Sequence, residues 1–155
     1  MLALNLFSQP ISEVLFLGAH CDDIEIGCGA AILKLISKRK DVHITWVVFC
    51  SDAAREKEAR ISAEHFLKGA QKKSIIIHAF RDGFLPYLGE GPKEAFEQLK
   101  LVSKPDIIFT HYRKDLHQDH RIISELTGNT FRDHVILEYE IPKYDGDFGS
   151  PNTYQ

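Results

Sequence analysis

The chain has 155 residues, 44% hydrophobic and 26% charged, values that exclude a disordered or fibrous protein and suit one α/β-sized domain spanning 1–155. Lys and Arg number 19 against 22 Asp and Glu, a formal charge of -3, so nucleic acid is not the expected partner, because phosphate binding needs clustered cations. No apolar run reaches the ~20 residues of a membrane span, and the start, Met1-Leu2-Ala3-Leu4-Asn5-Leu6, lacks the basic residues of a secretory signal. A cytoplasmic location follows as the expectation.

In chain order, strand-length apolar runs alternate with stretches of helical period. Val14-Leu15-Phe16-Leu17-Gly18 predicts a first strand, and residues 29–38 a helix. The run Val42-His43-Ile44-Thr45-Trp46-Val47-Val48-Phe49 is β-branched and aromatic, a strand buried on both faces with Trp46 in the core. Residues 53–68 read as a helix ended by Gly69, with Asp52 open to a capping or a catalytic role. Ile75-Ile76-Ile77 predicts a third strand, and residues 92–102 a helix with Pro92 in its first turn. A strand at Asp106-Ile107-Ile108-Phe109-Thr110, a helix at 119–131 and a strand at Val135-Ile136-Leu137-Glu138-Tyr139 complete the pattern. Residues 141–155 carry no apolar period and read as loop. Strands separated by single helices mean βαβ units, hence a three-layer αβα sandwich around a mostly parallel, Rossmann-like sheet. Ligands of such sheets sit at the carboxyl ends of the strands.

Polar residues gather at two such ends. After the first strand comes Gly18-Ala19-His20-Cys21-Asp22-Asp23-Ile24-Glu25-Ile26-Gly27-Cys28-Gly29; after the fourth, Thr110-His111-Tyr112-Arg113-Lys114-Asp115-Leu116-His117-Gln118-Asp119-His120-Arg121. His20, Asp22, Asp23, His117, Asp119 and His120 form a metal-site inventory of imidazoles and carboxylates. Zinc hydrolases use three such ligands and leave a position for water, while a neighbouring free carboxylate moves the proton. Spacing does not say which of Asp22 and Asp23 ligates. Gly27-Cys28-Gly29 is the only hint of a nucleotide or phosphate site, without a full G-x-G-x-x-G or a Walker lysine, and a phospho-acceptor domain would have no use for His117 and His120. Cys21, Cys28 and Cys50 form no C-x-x-C pair and read as small apolar residues of a reduced interior. His43, His65 and His134 read as surface or packing residues, whereas His78 and His111, near strand ends, are weak pocket candidates.

The two clusters resemble the motifs of the LmbE-like (PIG-L-type) zinc-dependent N-deacetylase family. The family's A-H-P-D-D stands here as Ala19-His20-Cys21-Asp22-Asp23, and its H-x-D-H-R as His117-Gln118-Asp119-His120-Arg121. An R-x-x-E helix matches Arg55-Glu56-Lys57-Glu58, and a D-G-x-L element matches Asp82-Gly83-Phe84-Leu85, all in the family's order. The resemblance implies Zn2+, or another divalent metal, on His20, Asp23 and His120. It further implies Asp22 as general base and acid, His117 as stabiliser of the oxyanion, Asp119 hydrogen-bonded to His117 and favouring its cationic form, and Arg55 on the substrate. The implied reaction removes an acetyl group from an N-acetylated amino sugar or its conjugate. The alternatives are an impaired metal-binding or assembly subunit and an amidase acting on a non-sugar amide. The implied partner is a small amino-sugar substrate, with homo-oligomerisation left open. Cys21 and Ala30 replace a proline and a glycine of the pattern, and relatives continue further, so the C-terminal part found in them is expected to be lacking here.

Overall fold

Successive side chains of a strand serve opposite faces of its sheet, so a strand covered on both faces reads as an unbroken apolar run. Val14 and Phe16 enter one core while Leu15 and Leu17 enter another. The structure, a computed structural model, describes residues 10–151. Its strands are β1 (Glu13–Gly18), β2 (His43–Cys50), β3 (Lys72–Phe80), β4 (Ile107–His111) and β5 (Val135–Tyr139). All pair in parallel, in the order β3-β2-β1-β4-β5. Helices α1 (Asp23–Lys38) and α2 (Ala53–Phe66), with Leu67 that follows, cover one face through Ile24, Ile32, Leu35 and Ala63, packed on Phe16, Trp46 and Phe109. Helices α3 (Leu85–Leu88), α4 (Glu90–Val102) and α5 (Gln118–Thr130) cover the other through Leu85, Phe96, Leu99 and Ile123, packed on Leu15, Val47 and Ile108. This is the expected αβα sandwich with a Rossmann-like sheet.

The strand order sets the site. The chain moves outward from β1 to β3, then returns past β1 to build β4 and β5 on its other side. Loops leaving β1 and β4 therefore diverge to opposite faces at one point, the crevice where open α/β sheets bind ligands.

Several elements differ from their expected bounds. Helix α1 starts at Asp23 rather than 29, which places Gly27 and Gly29 inside it. Both permit close approach: a Cβ on Gly27 would fall 2.2 Å from the Tyr139 ring, and one on Gly29 2.7 Å from Phe66. Gly27→Ala drives a methyl into a buried ring, so it should cost about 1–3 kcal/mol, read as a lower urea midpoint at unchanged m. β3 exceeds the three isoleucines at both ends because it is an edge strand whose outer residues, such as Lys72 and Lys73, are solvated. α3 is too short to show a period. Of its two open roles Asp52 takes the cap of α2, accepting from the Ala54 and Arg55 amides, and Trp46 is fully buried. Residues 140–151 form no helix or strand. Among the described residues no helix is long and apolar enough to cross a membrane; Met1 to Leu6 lie outside them.

Candidate active site

The loop after β1 folds back tightly. A Cβ on Gly18 would lie 2.9 Å from Ile24, so only glycine lets the chain turn this closely into α1. The His20 amide donates to Asp23 Oδ2 at 2.7 Å, and the Asp23 carboxylate stands in the first turn of α1, where the helix dipole favours negative charge. The loop after β4 is closed by His117, which caps α5 by accepting the Asp119 amide on Nδ1.

These two loops, a hundred residues apart, meet. His20 Nδ1 lies 3.2 Å from His120 Nε2 and 3.4 Å from Asp23 Oδ2, and His120 Nε2 lies 3.5 Å from Asp23 Oδ1. A tetrahedral ion with bonds of about 2.0–2.2 Å separates its donors by about 3.3–3.5 Å. Two imidazole nitrogens and a carboxylate at this spacing fit a divalent cation.

The far nitrogens of both rings also meet carboxylates. His120 Nδ1 is 2.9 Å from Asp115 Oδ2, deep in the protein. His20 Nε2 is 3.0 Å from Asp82 Oδ1 and 3.3 Å from Asp119 Oδ2. A proton held on each outer nitrogen turns the inner lone pair toward Asp23, the arrangement that orients histidine ligands of metals. Burial works against charge on His20, but its bonds to Asp119 and Asp23 push its pKa up to about 10, so without a cation the ring carries both protons, and a bound cation would displace one of them. Burial likewise opposes ionisation of Asp23, yet His111, His120 and His20 around it hold its carboxyl well below the usual range. Asp115 is half-neutralised from its other side: Lys143 Nζ lies 3.1 Å from Oδ1, and the His117 amide donates to the same oxygen. Asp115→Ala removes the brace of His120 and should weaken metal binding about 10–100-fold, measured by competition with a chromophoric chelator.

His111, only a weak candidate from sequence, is fully buried beneath the site. Its Nε2 accepts the Ala19 amide at 2.9 Å, and its ring stacks on His120 with centroids 3.9 Å apart. Burial lowers its pKa, against the pull of the Asp23 carboxylate, whose Oδ2 lies 3.2 Å from the same Nε2. Tyr139, which donates to the Leu17 carbonyl, packs against it.

Asp119 differs from the expectation. Its carboxylate accepts the Gly83 and Leu85 amides at 2.7 and 3.1 Å and faces His20, not His117. The physical reason is the helix cap: the Asp119 backbone amide already occupies His117 Nδ1, which leaves the side chain to turn inward. With Nδ1 accepting, His117 is not drawn toward its cationic form. Burial and the neighbouring His120 and His20 charges lower its pKa instead. His117 remains beside the cluster, its ring 4.6 Å from that of His120.

Asp22 is exposed and makes no cap bond to α1. It lines a cavity of about 280 Å³ together with Cys21, Glu25, Arg55, Glu58 and Ser62. Arg55 lies 3.6 Å from Asp82, which links the start of α2 to His20. Asp115, Asp82 and Cys50 were not singled out from sequence. Asp115 sits two residues before His117, Asp82 opens the D-G-x-L element, and Cys50 ends β2; position at a strand end is the signal common to them.

The sequence profile of the family described as GlcNAc-PI de-N-acetylase (PIG-L) matches residues 15–131. The chain belongs to the PIG-L family. Solved structures similar to this PIG-L chain include a conserved protein of Thermus thermophilus, with 20% identity, a TM-score of 0.66, and coverage of 88% of this chain and 68% of that one. An N,N'-diacetylchitobiose deacetylase of Pyrococcus horikoshii, solved with an inhibitor, has 27% identity and a TM-score of 0.62, covering 84% of this chain and 52% of that one. A 4-carboxy-2-hydroxymuconate hydratase of Pseudomonas putida has 18% identity and a TM-score of 0.59, with 77% and 55% covered. The PIG-L chain thus spans about half the length of the second and third, and the hydratase shares a fold.

Proposed function

We propose that this chain is a metal-dependent hydrolase that removes an acetyl group from an N-acetylated amino sugar or its conjugate. The observation that carries the reading is the meeting of His20, Asp23 and His120 at the switch point of the sheet, each imidazole backed by a carboxylate; Asp22 precedes Asp23 in the chain and lines the cavity that Arg55 shares. These three residues would hold the cation, with zinc the first choice for a His/Asp donor set. A bound divalent cation supplies Lewis acidity, polarising the amide carbonyl and acidifying water.

The chain's own groups do the rest. Asp22 takes the proton of the attacking water and returns it to the departing amine, giving acetate and the free amino sugar. His117, whose Nδ1 accepts the Asp119 amide, carries its proton on Nε2 and donates it as a hydrogen bond to the oxygen that becomes negative. Arg55, with Asp82, contacts the sugar. Three carboxylates (Asp22, Glu25 and Glu58) line the cavity against the single guanidinium of Arg55, which supports a neutral sugar over a phosphate group at that position.

The deciding assay follows free amine released from N-acetylglucosamine derivatives, with and without a chelator. Release that the chelator stops and added zinc restores is the expected result. Absence of free amine in both samples sinks the proposal in favour of a purely metal-binding role. Turnover confined to non-sugar amides would move the substrate class.

A further inference from the structure

Cys50 ends β2 and is 2% exposed, yet it does not face an apolar core alone. Its Sγ lies 3.9 Å from Asp119 Oδ2, and Asp119 Oδ2 lies 3.3 Å from His20 Nε2. One donor atom from each of these three residues falls within 4.8 Å of the others. Asp82 Oδ1, 3.0 Å from the same ring nitrogen, stands at the solvent side as a fourth oxygen. This donor set occupies the opposite edge of the His20 ring from Asp23 and His120.

We propose that Cys50 Sγ, Asp119 Oδ2 and His20 Nε2 form a second cation site, selective for thiophilic divalent ions, that competes with the Asp23–His120 site for the same imidazole. The inference rests on the reading of His20 as a metal ligand. A neutral imidazole has one lone pair and one N–H. With the proton on Nε2, hydrogen-bonded to Asp119, the lone pair on Nδ1 faces Asp23 and His120. With the proton on Nδ1, which lies 3.4 Å from Asp23 Oδ2, the lone pair faces Cys50 and Asp119. A neutral ring has one lone pair, so it serves one ion at a time. Ligand softness decides between them: imidazole and carboxylates alone suit harder or borderline ions, whereas a thiolate draws Cd2+. Binding there releases the Cys50 proton to solvent, because a coordinating thiol is deprotonated, and leaves the Asp23–His120 pair without its third ligand.

Cd2+ titration of the full chain tests this, with thiolate-to-metal charge-transfer absorption as one readout and ion stoichiometry by equilibrium dialysis as the other. The expected result is one Cd2+ per chain with a thiolate band. Cys50→Ser and Cys50→Ala should each still bind one ion but lose the band, and His120→Ala should keep it. Binding without a band, or a band that survives both Cys50 variants, overturns the inference and leaves the Asp23–His120 reading intact. Two ions per chain overturn the competition. A thiolate band with Cd2+ in an unaltered chain that binds no Co2+ would instead sink the Asp23–His120 reading and leave this one standing. If no ion binds at all, both fall.

Discussion

Asp22→Asn should bind metal as tightly as the unaltered chain while kcat falls about 10²–10⁴-fold, the usual contribution of a positioned acid–base group. The separation is sharp because of where Asp22 stands. It is exposed at the edge of the cavity and makes no cap bond to α1, so the amide neither unfolds the chain nor disturbs His20, Asp23 and His120. Asn keeps the shape and the polarity but takes up no proton. Because the lost interaction belongs to the transition state, kcat and kcat/KM should fall together with KM little changed. Metal content by elemental analysis and rates on an acetylated amino sugar check both halves. A variant with full rate would remove Asp22 from the mechanism.

His120→Ala should lose the cation of the Asp23–His120 site and turnover together. His120 is 3% exposed, stacked on His111 and placed between two carboxylates, Asp115 at 2.9 Å and Asp23 at 3.5 Å. Its loss removes one of three donors, so the affinity should drop by more than the ~10–100-fold typical of a merely supporting residue. It also leaves two buried acids short of a partner, and breaking such a pair costs about 3–5 kcal/mol. Thermal unfolding must therefore accompany the metal titration. His120→Asn, which keeps a hydrogen-bonding side chain, should recover part of the stability but not the metal. If His120→Ala stays folded and retains metal at the original affinity, the Asp23–His120 site is not the one occupied.

Much of the architecture was legible along the chain because it is locally encoded. Uninterrupted runs such as Val14-Leu15-Phe16-Leu17 signal strands covered on both faces, and a helix between each pair of strands leaves parallel pairing as the natural closure. Edge strand β3 and the short α3 were less legible, since solvated residues dilute one pattern and four residues are too few for the other. Gly27 and Gly29 misdirect for a related reason. Glycine in sequence suggests a break, whereas here it creates room for Tyr139 and Phe66, residues on a distant strand and another helix.

By itself the sequence determined the layered fold, the two loops that carry the chemistry and the residue types they offer, because each depends on neighbours a few positions apart. Only the tertiary structure decided which atom meets which. It turned Asp119 from His117 toward His20, set Asp115 behind His120, buried His111 beneath them and brought Cys50 to the edge of the cluster. Several of those choices rest on contacts between residues far apart in the chain, such as Gly83 with Asp119 and His20 with His120; others, such as Asp115 with His120, rest on competition for a limited set of buried hydrogen bonds, where an amide already seated on one ring nitrogen sends a carboxylate elsewhere.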